Sequence, residues 1–321
     1  MARFQDCQLF ELWLSRSSTL NSHKDLLWDI TYFGDGQAAQ PEQPPSCSRC
    51  PAATLHVMKP FINSLADAGA GLETSLVIVA LDTTAFANCQ SMHQPHLCID
   101  ASDAAAIPEG TLTNWSPGYF AAGWTRTVWT HKAVKMGFTV LMVDLDLVWF
   151  KNPYRYLEAH KEAQVLVTDD CIYDPLLPHN ATGKMANLGV VMFRNEPLAL
   201  KLLEVWLTMR GQEWDQSAFR TALMQVVRDE PNFRPHVMGV QLFVNLCCQY
   251  CTTRYDDMDV HQMQQQDIHQ CFHDEVHDIY MVHVACTRGA TPIESKGHLL
   301  TMLLNYRRTS RQQQPQLDSI R

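Results

Sequence analysis

The chain has 321 residues, 46% of them hydrophobic and 18% charged, an ordinary globular composition that accommodates one large α/β domain or two small ones. Its formal net charge of −9 at pH 7 argues against a nucleic-acid-binding protein, which would normally carry a basic patch. No run of the sequence approaches the roughly 18 apolar residues of a membrane helix, so no transmembrane segment is expected in this chain.

The first 54 residues are predicted to be a leader that is poorly structured or peripheral. This polar stretch has no sustained periodicity and contains four prolines, Pro41, Pro44, Pro45 and Pro51. Its first residues are too interrupted by charged and polar side chains to form a convincing signal peptide or anchor. Either the protein is cytosolic, or its natural leader is missing. We expect the folded unit to begin near Leu55.

Short apolar runs alternate with helical segments after this point, which predicts a single α/β domain over residues 55–310 with a doubly wound, mostly parallel sheet flanked by helices. The predicted strands span residues 76–81, 96–100, 140–150, 164–168, 187–193, 237–244 and 279–284. The predicted helices span residues 55–65, 83–92, 119–136, 197–209 and 215–227, with others starting at 154 and lying within 289–306. A polar insertion rich in His and Gln at 256–278 is favoured over a metal site, and residues 311–321 are predicted to be a polar tail.

One apolar run carries an Asp-x-Asp pair. Within residues 140–150, Asp144 and Asp146 are two positions apart, so in an extended strand both carboxylates would project from the same face. Neighbouring carboxylates repel each other unless a cation lies between them. Hard oxygen ligands at short spacing suit Mg²⁺ or Mn²⁺, with substrate phosphates completing the coordination. The alternative is a strand that simply ends in two solvated aspartates.

The 11 cysteines allow several interpretations. The Cys-x-x-Cys pairs at Cys47–Cys50 and Cys248–Cys251 could together form a four-thiolate zinc site, although almost 200 residues separate them. Disulfides in an oxidising compartment are favoured, for example between Cys89 and Cys98, and reduced core cysteines are the further alternative.

Several polar residues outside the Asp-x-Asp pair have two interpretations each. Arg126, on a predicted helix, is either a solvated surface arginine or a diphosphate contact. Asp215 is either the N-cap of its predicted helix or a site residue. Gly189, at a strand start, would permit close backbone approach to a ligand.

Five segments in order carry a family resemblance: LVIVALD, MGFTVLMVDLDLVWFKNP, ANLGVVMFRN, WDQSAF and MVHVACTRG. From about Leu55 to Tyr306 the chain resembles the plant and algal nucleotide-diphospho-sugar transferases. That family consists of retaining glycosyltransferases of the GT-A fold, with a Rossmann-like sheet, and includes arabinosyl- and xylosyltransferases. The departures are Asn-Leu-Gly in place of the frequent Asn-Thr-Gly, the absence of the usual membrane anchor, and the His-rich insertion.

The resemblance implies a role for each matching residue. The implied metal ligands are Asp144, Asp146 and His283. The implied donor-binding residues are Arg126, Asp144, Asp146, Asn187, Gly189 and Gln216. Lys296 is a further donor-binding candidate, because its ammonium group could add a charge-assisted contact to the diphosphate. Asp215 and Asn187 are the candidate catalytic residues. No nucleophile is certain, because Asp215 and Asp170 are both candidates and front-face attack needs neither.

The implied function is transfer of a sugar, with retention, from a UDP-linked pentose or hexose to a glycan or hydroxyproline-rich glycoprotein, assisted by Mn²⁺ or Mg²⁺. The Golgi lumen is the implied location, and the cytoplasm is expected if the chain is complete. One alternative is a phosphatase of the haloacid-dehalogenase type, with Asp144 as nucleophile and Asp146 as acid and base. Another is a non-catalytic nucleotide-sugar-binding relative.

Overall fold

The computed structural model describes residues 26–32, 52–69, 76–92, 97–102, 117–170, 186–211, 213–246, 278–285 and 292–318. The strands in this part of the chain are β1 (Leu26–Tyr32), β2 (Leu76–Ala80), β3 (Leu97–Asp100), β4 (Thr139–Val143), β5 (Leu147–Trp149), β6 (Val165–Asp169), β7 (Ala186–Phe193), β8 (Pro235–Met238), β9 (Phe243–Asn245) and β10 (Met281–His283). The helices are α1 (Ala52–Ala68), α2 (Thr83–Ser91), α3 (Pro117–Lys135), α4 (Tyr154–Ala159), α5 (Pro197–Thr208), α6 (Asp215–Asp229) and α7 (Pro292–Asp318). None of these described helices is long and apolar enough to cross a bilayer.

Seven strands form the main sheet in the order β3-β2-β1-β4-β7-β6-β8. Neighbouring strands are parallel except at β7, which runs antiparallel to both β4 and β6. Alternate residues of β2 face opposite sides: Leu76 and Ile78 belong to the hydrophobic cluster that includes α1 and α7, whereas Val77 and Val79 belong to the cluster that includes α3, α5 and α6. The predicted α/β fold with a mostly parallel, helix-flanked sheet is confirmed.

Strand β1 lies in the segment predicted to be a leader. It pairs in parallel with β2 through Trp28 and Leu76, and in parallel with β4 through Leu26 and Thr139. The expectation that residues 1–54 are poorly structured or peripheral is therefore wrong for this strand, because β1 occupies an internal position of the main sheet.

The Asp-x-Asp pair lies in a break between two strands, not within one. β4 ends at Val143 in the main sheet, and β5 begins at Leu147 in a second sheet of order β5-β10-β9. The Asp144 backbone N–H donates to the Gly189 carbonyl oxygen at 2.8 Å, on the main-sheet side of the break. The prediction of one continuous strand over residues 140–150 is wrong, because the chain leaves one sheet for the other at this point.

Two further predicted boundaries differ from the structure. Residues 237–244 form parts of two strands, β8 and β9, because the chain turns at Gly239, whose carbonyl oxygen accepts from the N–H groups of Leu242 and Phe243. Helix α7 runs to Asp318, so most of the predicted tail is helical. The predicted disulfide between Cys89 and Cys98 is confirmed.

Some predictions concern residues outside the described ranges. Both Cys-x-x-Cys pairs lie there, and so does the predicted insertion except for its last residue, Asp278.

Candidate active site

Asp144, Asp146 and His283 converge where the two sheets meet. The Nε2 atom of His283 is 3.2 Å from Oδ1 of Asp146 and 3.6 Å from Oδ2 of Asp144. The two aspartates come from the break between β4 and β5, and His283 is the last residue of β10, which pairs with Leu147 of β5. Residues almost 140 positions apart in the sequence therefore meet because β5 and β10 are neighbours.

The three side chains fit a divalent cation. They form a group of potential ligands whose coordinating atoms all lie within 4.8 Å of one another. Two carboxylate oxygens and one imidazole nitrogen are a donor set that suits Mn²⁺ or Mg²⁺, with positions left for phosphate oxygens. The Nε2 atom of His283 faces the carboxylates, whereas its buried Nδ1 atom has no hydrogen-bond partner in the described part of the chain.

Two basic side chains pair with these carboxylates. Arg126, on α3, donates from Nη1 to Oδ1 of Asp144 at 2.6 Å and from Nη2 to Oδ2 of Asp215 at 3.0 Å. Lys296, on α7, donates from Nζ to Oδ2 of Asp146 at 2.5 Å. Arg126 is only 6% exposed, so the interpretation as a solvated surface arginine is wrong.

The surroundings shift the pKa values of the two aspartates of the pair in opposite directions. Burial raises the pKa of Asp144, and the Arg126 charge only partly opposes that effect. Burial also acts to raise the pKa of Asp146, but the charges and hydrogen bonds of Lys296 and His283 outweigh it and hold that pKa far below its usual value. Asp146 is therefore the more firmly ionised carboxylate of the site.

Asp215 is the first residue of α6, and its side chain does not cap the helix. Trp214 occupies the N-cap position and makes no side-chain capping bond. The Asp215 carboxylate is buried and accepts from Arg126, so the interpretation of Asp215 as an N-cap is wrong. Through Arg126, it lies one side chain away from Asp144.

Asn187 and Gln216 belong to a buried polar network centred on Asp170. Oδ1 of Asp170 accepts from Nδ2 of Asn187 at 2.8 Å, and Oδ2 accepts from Nε2 of Gln216 at 3.1 Å. Oδ2 also accepts from Nη2 of Arg220. Arg220 is absent from the predicted site, although its position one helical turn after Gln216 puts both on one face of α6.

Gly189 makes its close approach to a protein side chain. A Cβ atom at this position would lie 2.3 Å from Cε1 and 2.4 Å from Nδ1 of His283. Gly189 is predicted from the sequence to permit close backbone approach to a ligand. In the structure, the group that approaches it closely is the imidazole of His283, which belongs to the site itself.

The fold and these residues define an α/β protein with a cluster of two aspartates and one histidine, a candidate cation site, at the carboxyl end of a central strand. Residues 71–300 match the model of the nucleotide-diphospho-sugar transferase family. The match covers more than half of the chain, and the chain belongs to this family. The predicted GT-A type is consistent with that membership and with the mostly parallel sheet.

Two curated proteins of Arabidopsis thaliana are similar over part of their length. The arabinosyltransferase XEG113 is 31% identical over 112 residues, which cover 32% of this chain and 17% of that protein. A protein described as "Uncharacterized protein At1g28695" is 25% identical over 135 residues, which cover 42% of this chain and 38% of that protein. The matched stretches thus span well under half of either relative.

Among solved structures, the apo form of mouse xyloside xylosyltransferase 1 is similar, with a TM-score of 0.45 and 15% sequence identity. The likeness covers 82% of this chain and 98% of that chain.

Proposed function

We propose that the protein transfers a sugar, with retention of anomeric configuration, from a UDP-linked pentose or hexose to a glycan or a hydroxyproline-rich glycoprotein, assisted by Mn²⁺ or Mg²⁺. The observation that carries the proposal is the convergence of Asp144, Asp146 and His283 in a chain of the nucleotide-diphospho-sugar transferase family. The similarity to an arabinosyltransferase supports a UDP-pentose as the first donor to test.

The site has the charges that a nucleotide diphosphate needs. A cation held by Asp144, Asp146 and His283 would neutralise negative charge on the departing diphosphate. Arg126 and Lys296 already contact the same carboxylates and would donate charge-assisted hydrogen bonds to diphosphate oxygens. Burial of Arg126 strengthens such contacts, because charges interact more strongly away from water.

The sugar is assigned to the neighbouring polar residues. Asn187 and Gln216 present side-chain amides in a buried setting, and amides can donate to sugar hydroxyls. Asn187 lies two residues before Gly189 in β7, and Gly189 lies against His283. The Gln216 amide accepts from the Leu188 N–H, so both amides are close to the proposed cation site.

Retention requires either a covalent sugar on a carboxylate or attack from the leaving-group face. Asp170 is poorly suited to be the nucleophile, because both of its oxygens accept hydrogen bonds from other side chains. Asp215 shares the Arg126 guanidinium with Asp144, so its carboxylate lies beside the proposed diphosphate site. We therefore assign Asp215 as the candidate nucleophile, with front-face attack as the alternative.

A donor screen tests the function. Several UDP-sugars are incubated with the protein and Mn²⁺, with and without glycan acceptors, and released UDP is measured. Calorimetric titration of UDP with and without Mn²⁺ accompanies the screen. Tighter binding with the metal and UDP release with at least one donor are expected, because the cation bridges carboxylates and diphosphate.

Two outcomes would favour the alternatives. Metal-dependent UDP binding without turnover of any donor would identify a non-catalytic relative. Absence of UDP binding, together with phosphomonoester hydrolysis that Asp144→Asn abolishes, would identify a phosphatase. The phosphatase interpretation gives no role to His283, which lies beside the Asp-x-Asp pair, or to Asn187 and Gln216, which both donate to the buried Asp170.

We also propose that the domain works in the Golgi lumen. The disulfide between Cys89 and Cys98 supports an oxidising compartment, since such bonds seldom persist in the cytosol. Protease protection of the tagged protein in sealed Golgi vesicles tests this location. Degradation of the tagged protein without detergent would contradict it.

A further inference from the structure

Arg220 is the least expected member of the buried polar network. It lies on α6, donates from Nη2 to Asp170, and donates from Nε to the carbonyl oxygen of Ala186 at 3.2 Å. Its side chain is 23% exposed, whereas that of Asp170 is 8% exposed. The guanidinium thus reaches inward from the edge of the network and is held in place by the backbone at the start of β7.

The network holds two side-chain amides in matching orientations, each with its NH₂ group towards Asp170 and its oxygen towards the backbone of β7. Asn187 and Gln216 both direct an NH₂ group to Asp170. Their oxygens accept from backbone N–H groups of β7: Oδ1 of Asn187 from Gly189 at 2.7 Å, and Oε1 of Gln216 from Leu188 at 3.4 Å. Each NH₂ carries a second N–H beyond the one donated to Asp170, so fixing the amide also fixes the direction of that second donor.

Arg220 supplies the positive charge that this arrangement needs. The two amides are neutral and cannot compensate the buried carboxylate of Asp170. An unpaired buried carboxylate is strongly destabilising, whereas a paired and hydrogen-bonded one can persist. Without Arg220, Asp170 would turn towards water or draw water in, and the two amides would lose their common acceptor.

We propose that Arg220 is a positioning residue that orients Asn187 and Gln216, through Asp170, towards the sugar of the nucleotide-sugar donor. This inference rests on the proposed function. Arg220 contacts Asp170 and Ala186. The cation is assigned to Asp144, Asp146 and His283, and the diphosphate to the basic residues that pair with the two aspartates. Its effect should therefore fall on recognition of the sugar and not on binding of the nucleoside diphosphate.

The test compares Arg220→Ala and Arg220→Lys with the wild-type protein. Arg228→Ala is the matched control, because Arg228 lies on the same helix, has a side chain that is 74% exposed, and pairs with its sequence neighbour Asp229. Calorimetry measures the affinities of UDP, UDP-xylose and UDP-galactose with Mn²⁺, and released UDP measures kcat and KM for whichever donor the wild type uses.

For Arg220→Ala we expect UDP–Mn²⁺ affinity within about twofold of wild type, but loss of any difference in affinity between UDP-sugar and UDP. We also expect kcat to fall by about 10–100-fold, by analogy with the loss found when residues that orient the ligands of a metal site are removed. Arg220→Lys should recover part of this loss, because it keeps the charge but not the planar fork. Arg228→Ala should match the wild type.

Several results would overturn the inference. One is unchanged kcat and unchanged discrimination between UDP and UDP-sugar in Arg220→Ala. Another is a parallel loss of UDP–Mn²⁺ affinity and thermal stability, which marks a purely structural role. If Arg220→Ala does not fold, Arg220→Lys decides alone: wild-type kcat and wild-type discrimination in that folded variant overturn the inference, because lysine lacks the separate Nε and Nη2 donors that contact Ala186 and Asp170. A wild-type protein that binds no UDP with Mn²⁺ would overturn the proposed function itself.

Discussion

Gly189 lies directly against the imidazole of His283. A Cβ atom on this glycine would be 2.3 Å from Cε1 of His283 and 2.7 Å from Oδ1 of Asn187, distances that non-bonded atoms do not adopt. Gly189 belongs to β7 of the main sheet and His283 to β10 of the second sheet. The absence of a side chain at residue 189 therefore lets one sheet place its histidine against the other.

Gly189→Ala should displace His283 from the carboxylates. We expect Mn²⁺-dependent UDP affinity to fall by about 10–100-fold, as for other changes that disturb the orientation of a metal ligand. Calorimetric titration of UDP with Mn²⁺ is the measurement. Gly239→Ala is the control, because its added methyl would meet nothing closer than 3.4 Å. Wild-type affinity in Gly189→Ala would contradict the role of His283 in holding the cation.

Gly123→Ala should disturb Asp215. A Cβ atom at residue 123 would lie 2.6 Å from the Asp215 carboxylate, which pairs with Arg126. A Gly→Ala change inside a helix usually stabilises it by about 1 kcal/mol, so a net loss of stability would report the collision. We expect a lower free energy of unfolding in urea and reduced turnover. An increase in stability with normal turnover would show that the carboxylate moves aside at no cost.

Asp146→Asn should abolish turnover while leaving the fold intact. The change removes a charge that Lys296 and His283 both contact, without changing the side-chain volume appreciably. Released UDP and circular dichroism are the measurements. Asp229→Asn is the control, since Asp229 pairs with Arg228 on the surface of α6. Near-normal, metal-dependent turnover in Asp146→Asn would rule out the assigned role.

Stability should fall as the pH is lowered, in part because of His236. Its ring stacks on His160 with centroids 3.8 Å apart, and its Nε2 atom is 3.0 Å from Oη of Tyr156. Burial, with the nearby His160, lowers the pKa of His236. The unfolded chain therefore binds a proton at His236 more readily than the folded chain does. The contribution of neutral His236 to the unfolding free energy is present above a pH of about 6.5, and it is lost as the pH falls through that value towards the folded-state pKa.

Urea unfolding at pH 8 and pH 5 tests this titration. The difference in unfolding free energy between the two pH values should be smaller in His236→Phe than in the wild type, because the titrating group is gone. It should not vanish, since burial also lowers the pKa of His131. An equal difference in both proteins would show that His236 does not contribute.

The sequence predicted those parts of the fold that local patterns specify. Uninterrupted apolar runs such as residues 76–80 form strands, as predicted. Strand β1 was missed because Asp29 and Thr31 interrupt its apolar run, and because its partners are distant in sequence. The break between Asp144 and Asp146 was missed for a related reason: apolar residues on both sides hide a change of sheet.

The residues of the site were predictable from motifs, but most of their contacts were not. The sequence indicated that Asp144, Asp146 and His283 belong together, and the structure brings their ligand atoms within 4.8 Å. No local pattern could indicate that Arg126 bridges two aspartates or that Arg220 pairs with Asp170, because these partners are 18 to 89 residues apart. Such pairings arise only when separate elements pack together.

The position of β1 has a consequence for synthesis on the ribosome. β1 lies between β2 and β4 in the sheet, yet both are translated after it. About a hundred residues separate the end of β1 from the start of β4. Until β4 emerges, one side of β1 has no strand to pair with, and open strand edges are sites of aggregation. The nascent chain therefore completes its main sheet late, which makes slow, chaperone-assisted maturation the expected route to the native protein.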